Sequence, residues 1–217
     1  LDFRKKLSQE AFNLTAYYDS VISDYFNNTN NDYFPQKKTI FGNLVEILRY
    51  GENPHQKSAI YSKNNKLDIS QLSGKKLSYN NYNDIFAALN ISQTLPKNNG
   101  TVIVKHANPC GVSINKSKIM SLKEALACDP ISAFGGIVSC NFKINKKIAI
   151  ELNKIFLEVI IGIGFDKDSL KILRKKKNLR LIDASELKPQ NIYNITNNFD
   201  SLLIQSLDDK IFKKNNF

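Results

Sequence analysis

The chain has two histidines, His55 and His106, and each stands inside a dense run of polar and turn-forming residues. In Thr101-Val-Ile-Val-Lys-His-Ala-Asn-Pro-Cys-Gly111 a short apolar strand runs straight into Lys105 and His106. Imidazole exchanges protons near neutral pH, and an adjacent ammonium holds charge and donates to a developing oxyanion, so the pair suits proton transfer. Neighbouring strand residues face opposite sides, so both can enter one site only if the strand ends at or before Lys105. The turn is expected at Asn108-Pro109 and Gly111, because proline drives Asn108 out of helical geometry and glycine permits a positive φ.

Three further segments carry candidate ligand-binding groups. In Ile47-Leu-Arg-Tyr-Gly-Glu-Asn-Pro-His-Gln56, Arg49 is one of only four arginines in a lysine-dominated chain. A guanidinium gives a phosphate two parallel hydrogen bonds that lysine cannot copy, Tyr50 could add a third, and Gly51 lets a ligand approach the backbone. An arginine in a turn before Asn53-Pro54 is the plain alternative. In Ala127-Cys-Asp-Pro-Ile-Ser-Ala-Phe-Gly-Gly136, Asp129 and Ser132 before two glycines could line a ribose pocket or simply cap a turn. Leu77-Ser-Tyr-Asn-Asn81 precedes a helical pattern and reads either as a cap or as a contact segment. Gly162-x-Gly164 lacks the rest of a dinucleotide fingerprint.

These segments need elements to hold them. Strand-like runs are Ile60-Tyr61, Thr101 to Val104, Ile137 to Phe142, Glu158 to Ile163, Leu179 to Ile182 and Ser201 to Gln205. Between them, helical patterns cover Asp84 to Gln93, a short stretch marked by Leu122, Ala125 and Leu126, Asn145 to Leu157, and Asp166 to Lys176. Strands alternating with helices of this length predict an α/β layer architecture, in which ligands bind beyond the carboxyl ends of the strands. Upstream, Leu7, Ala11, Leu14, Tyr18, Val21 and Tyr25 form one helical stripe across residues 3–26, closed by the polar stretch Asn27 to Asp32 and Pro35.

Composition narrows the function. With 42% hydrophobic residues the chain can bury a real core, and it is too apolar for a disordered protein. No run approaches the roughly 20 apolar residues of a membrane span, and no secretory pattern opens the chain, so a cytoplasmic protein without membrane contact is expected. The net charge of +11 comes from lysines spread along the chain, with no aromatic interleaving, which argues against a nucleic-acid partner. The one dense run, Arg174-Lys-Lys-Lys177, falls at an expected helix end, where cations complement the dipole. Cys110, Cys128 and Cys140 have no metal-ligand spacing, cannot all pair with one another, and read as reduced, mostly buried thiols.

Taken together and in this order, Arg-Tyr-Gly-Glu-Asn-Pro-His-Gln, Leu-Ser-Tyr-Asn-Asn, Val-Lys-His-Ala-Asn-Pro-Cys-Gly and Asp-Pro-Ile-Ser-Ala-Phe-Gly-Gly resemble the bifunctional purine-biosynthesis family that joins AICAR transformylase to IMP cyclohydrolase. The resemblance runs over nearly the whole chain. It implies a cytidine-deaminase-like layered α/β subdomain over residues 35–217, preceded by a linker helix and polar connector over 1–34. It also implies formyl transfer from 10-formyltetrahydrofolate, a cosubstrate, to the 5-amino group of AICAR, in a homodimer, with no metal or redox cofactor. By the same resemblance His106 is the base or its orienting partner, and Lys105 steadies charge on the formyl oxygen. Arg49 and Tyr50 hold the nucleotide phosphate, Asn81 or its neighbour Asn80 the carboxamide, and Asp129 the ribose. The family's cyclohydrolase domain and second deaminase-like subdomain have no counterpart here. The initial Leu1 and the trailing Asp208 to Phe217 read as cut edges, so a fragment that folds or dimerises without turnover is the rival expectation.

Overall fold

The computed structural model describes residues 1–188 and 193–208. The elements are α1 (Asp2–Thr29), β1 (Asn43–Leu48), β2 (Ser58–Ser62), β3 (Ser70–Ser73), α2 (Tyr79–Thr94), β4 (Gly100–Lys105), β5 (Asn108–Ile114), α3 (Lys118–Cys128), β6 (Ile137–Cys140), α4 (Lys146–Asn153), β7 (Val159–Gly162), α5 (Lys167–Leu173), β8 (Arg180–Asp183), β9 (Tyr193–Asn198) and β10 (Ser201–Ser206). They fall into two compact units, Leu1–Ser185 and Glu186–Phe217. In the second, β9 and β10 pair as an antiparallel hairpin, and residues 209–217 of the expected trailing stretch lie outside the described residues.

The first unit is built on a six-stranded sheet of order β3-β8-β7-β6-β4-β5. β6, β7 and β8 run parallel, while β4, β5 and the opposite edge strand β3 are antiparallel to their neighbours. Every residue of β6 and β7 is buried, as expected for central parallel strands covered on both faces. On one face Ile103, Val138, Cys140, Ile160 and Leu181 join Leu122 and Ala125 of α3, Ile148, Ala149 and Leu152 of α4 and Leu173 of α5 in a single core. Alternate strand residues point the other way. There α2 lies along β4, β6 and β7 and buries Tyr82, Ile85, Ala88 and Leu89. Each fully buried aliphatic side chain stabilises the fold by about 1.5–3 kcal/mol. The result is a mixed α/β sheet layered between helices.

Helix starts follow local chemistry. Asn145 accepts the Ile148 amide at 3.1 Å to begin α4, and Asp166 accepts the Ser169 amide at 2.6 Å to begin α5. The helix expected over 145–157 stops at Asn153. Lys176 bonds the carbonyls of Asn153 and Ile155 at 2.6 and 2.8 Å, and Arg174 bonds that of Leu72 at 3.3 Å. The dense basic run follows the end of α5, as expected, but Lys176 bonds the last carbonyl of α4 and Arg174 a carbonyl of β3. Burial there lowers the Lys176 pKa.

The turn expected at Asn108-Pro109-Gly111 is a strand instead. β5 is an edge strand with a register shift opposite Ile103 and Val104, and a proline is tolerated at such a place. Gly111 has no positive φ; a Cβ there would run into the Ala125 carbonyl oxygen, so its role is close packing on α3. The cysteines are free, but only Cys140 is buried, and burial pushes its pKa up to about 12. Cys110 is half-buried and Cys128 exposed. Among the described residues no helix is long and apolar enough to cross a membrane.

Candidate active site at the end of β4

Sheet register gathers the chemistry at one end. Val104 pairs with Ile137, Ile137 with Val159 and Val159 with Arg180, so the end of β4 lies in one row with the starts of β6, β7 and β8. Lys105, the 129–136 loop, Glu158 and Arg180 therefore share that end. The strand does stop at Lys105, which is the condition for Lys105 and His106 to serve one site.

The connection from β4 to β5 is a two-residue turn, His106-Ala107, with φ of 54° and 58°. Positive φ at both central residues is the type I′ geometry that suits a twisted hairpin and that Asn-Gly usually supplies. Here neither residue is glycine, and each costs roughly 1–3 kcal/mol in that region. The surroundings hold the turn: the Ala107 amide donates to Asp84 Oδ1 at 2.7 Å and Asn108 Nδ2 donates to the His106 carbonyl at 2.8 Å. His106 itself is exposed.

Lys105 Nζ donates to the Phe134 carbonyl at 3.0 Å, which aims the ammonium at the 129–136 loop and leaves its other donors available. That loop is pinned by Asp129, which accepts the Ser132 amide at 2.9 Å, and by Gly135, whose φ of 73° lets its amide reach the Phe156 carbonyl at 2.9 Å. The Asp129 pKa is lowered, first by hydrogen bonds from the Ser132 side chain and amide, with smaller help from the Ile131 amide and the Lys105 charge; burial opposes. Lys105 and Asp129 thus belong to one electrostatic neighbourhood. Beside them Phe134 and Phe156 form an exposed ring pair, centroids 5.1 Å apart. Cys110 feels both charges, but burial is the main cause of its raised pKa.

The start of α2 enters from the other face of the sheet. Ser78 and Asn81 form a capping box: the Ser78 hydroxyl accepts the Asn81 amide at 3.2 Å and Asn81 Oδ1 accepts the Ser78 amide at 3.1 Å. Asn81 Nδ2 then donates to Glu158 Oε2 at 3.1 Å, and Glu158 pairs with Arg180 at 3.6 Å. Asn81 is buried and its carboxamide is engaged at both ends. Asn80 is exposed and donates to the Glu52 carbonyl at 3.4 Å, which ties in the Arg49–Gln56 loop. Within that loop Gly51 and Gln56 are bonded through the backbone at 2.8 Å, and the exposed Arg49 guanidinium lies 5.5 Å from the Tyr50 ring centre.

The whole chain, residues 1–217, matches the family model described as AICARFT/IMPCHase bienzyme. The chain belongs to that bienzyme family. It is 41% identical over 214 residues to the bifunctional purine biosynthesis protein PurH of Clostridium kluyveri, covering 97% of this chain and 42% of that protein. PurH of Petrotoga mobilis is 40% identical over 220 residues, 98% of this chain and 43% of the relative. PurH of Rhodospirillum rubrum is 44% identical over 186 residues, 84% and 35% respectively. The chain therefore spans about two fifths of the length of these curated relatives.

In this bienzyme chain the Lys105–His106, Asp129 and Asn81 segments share one sheet end, and the Arg49 loop is tied to the start of α2 by the Asn80–Glu52 bond, whereas Asp84, Glu158, Phe134 and Phe156 were not singled out from sequence. Asp84 carried no signal beyond its place near a helix start. Glu158 and Arg180 were visible only as flanks of apolar runs. Among the described residues no group of three or more His, Cys, Asp or Glu could hold a metal ion.

Proposed function

We propose that this chain carries the nucleotide and formyl-transfer half-site of an AICAR transformylase, acting on 10-formyltetrahydrofolate in purine synthesis. The observation that carries the reading is the placement of Lys105 and His106 at the very end of β4, beside the Asp129 loop. The aminoimidazole nitrogen is a weak nucleophile, because its lone pair is conjugated with the ring and carboxamide. It attacks the formyl carbon while His106 takes its proton, a contribution of about 10²–10⁴-fold for a positioned base. The Lys105 ammonium meets the oxygen that becomes negative. Collapse breaks the bond to folate N10, which takes up a proton, leaving the formamido ribonucleotide and tetrahydrofolate. The step itself calls for neither a metal nor a redox cofactor.

Arg49, with Tyr50, holds the phosphate, and Asp129, ionised throughout the neutral range, accepts the ribose hydroxyls. The carboxamide is assigned to Asn81 or Asn80. The internal bonds of Asn81 favour Asn80, which is exposed and gives one long bond to the Glu52 carbonyl, as the group that turns toward a ligand. The exposed Phe134–Phe156 pair offers an apolar aromatic surface to a reduced pterin. Residues 1–34 then form the linker from a cyclohydrolase domain, and 35–217 the first cytidine-deaminase-like subdomain of a cytoplasmic homodimer. The span of two fifths of the relatives favours a second reading, a fragment that folds or dimerises without turnover. Calorimetric titration with AICAR decides between them. Binding that Arg49→Ala loses supports the half-site; a folded chain that takes up no AICAR supports the second reading.

A further inference from the structure

We propose that Asp84 is a positioning residue for His106, acting through the Ala107 amide; this rests on the transformylase reading above. One peptide unit joins His106 to Ala107, and it is held at both ends. Its carbonyl accepts from Asn108 Nδ2 at 2.8 Å, and its N–H donates to Asp84 Oδ1 at 2.7 Å. The orientation of that peptide fixes ψ of His106 and φ of Ala107, and so the direction in which the imidazole leaves the backbone.

The grip is needed because the sequence opposes the turn. Both residues have positive φ, and alanine has no side-chain group to compensate. Rotating the peptide would release Ala107 from the left-handed region and swing His106 with it. Asp84 is suited to prevent this, since it comes from a different layer. It is half-buried near the start of α2, a helix end locked by the Ser78–Asn81 box and by Asn81 to Glu158. A hairpin turn on one face of the sheet end is thereby referenced to a rigid helix on the other. The carboxylate also accepts an N–H that a two-residue hairpin loop leaves without a partner across the strands.

The test compares Asp84→Ala, Asp84→Asn and the pair Asp84→Ala/Ala107→Gly in the full chain. It reads formyl-transfer kcat, KM for AICAR, and amide exchange at residue 107 by NMR. Asp84→Ala is expected to expose the Ala107 amide and lower kcat at least about tenfold, since small misplacements of a reacting group are expensive. KM should stay within about twofold, because nucleotide contacts lie elsewhere. Asp84→Asn retains an acceptor oxygen and should keep most of kcat. Glycine at 107 occupies the left-handed region freely, so the double variant should regain much of the loss. Unchanged kcat in Asp84→Ala despite an exposed amide overturns the positioning role alone. Equal loss in Asp84→Ala and Asp84→Asn with the Ala107 amide still protected also overturns it, since Asp84 would then act through charge. A wild-type chain with a protected Ala107 amide that moves no formyl group to AICAR supports the second reading, a chain without turnover, and overturns the positioning role with it.

Discussion

The end of β4 and helix α1 put opposite demands on their surroundings. At the sheet end, short polar segments hold unfavourable backbone because several elements grip them at once: Asp84 from α2, Asn108 from β5, Phe134 from the 129–136 loop. Helix α1 has 28 residues in relaxed helical geometry, and none of them is buried. Its contacts with the β1–β2 region are few: Asn43 Nδ2 to the Tyr17 hydroxyl at 2.8 Å, Tyr17 edge-on to Phe41, and Lys63 to Asp24 at 3.0 Å. Leu14 and Tyr18 of its apolar stripe are 69% and 63% exposed. An apolar stripe therefore locates a helix but not its burial, while the strained His106-Ala107 turn sits where neighbouring elements supply its hydrogen bonds.

The largest effect should come from the strained turn. His106→Ala is expected to lower formyl-transfer kcat by about 10²–10⁴-fold, with a much smaller change in KM. Arg49→Ala should do the reverse, weakening nucleotide binding by roughly 1.5–3 kcal/mol, the worth of a hydrogen bond to a charged group. Equal changes in kcat and KM for the two variants would undo the division of roles.

Next in size is the contrast in packing. Ile160 is fully buried at the centre of the sheet, and Ile160→Ala should cost about 2–5 kcal/mol in urea unfolding. Leu14→Ala on α1 should stay within about 0.5 kcal/mol, as for other exposed positions. A costly Leu14→Ala in this chain would mean that α1 is packed in solution and that the contrast is wrong.

Much of the fold was legible because buried strands announce themselves. Val159 to Gly162 is apolar throughout and Ile137 to Cys140 is apolar but for Ser139, and they appear as β7 and β6 within a residue or two of the expected bounds. The two edge strands of the six-stranded sheet were not legible. β3 is Ser-Gln-Leu-Ser, and β5 begins Asn-Pro, a turn signal that loses its force on an edge strand at a register shift. The true turn was invisible for the complementary reason: His-Ala has no turn propensity, and only contacts from α2 and β5 hold it. The site's members were legible as motifs, but Asp84 was not, because its role depends on a layer crossing that no local spacing encodes.

A smaller test concerns the cap that anchors this grip. Ser78→Ala removes one half of the box at the start of α2 and should cost about 1 kcal/mol. The loss should also loosen Asn81 and, through α2, the Asp84 contact, so amide exchange at Ala107 should quicken. Stability loss without faster exchange would separate the cap from the turn.

The mildest probe is acid. The folded Asp129 has a pKa below the ordinary value of about 3.9, chiefly because Ser132 donates to its carboxylate. A depressed carboxylate pKa adds stability that is fully present above the unfolded value and is lost as pH falls through the folded one. Wild type should therefore exceed Asp129→Asn by a constant margin from neutral pH down to about 5. Below about 4 that margin should shrink as the native carboxylate takes up its proton and the Ser132 bonds weaken. Parallel urea titrations of both proteins across this range measure it. A margin that widens on acidification would show that Asp129 is not held by these bonds, and the 129–136 loop would then owe its shape to Gly135, Phe156 and the Lys105 contact instead.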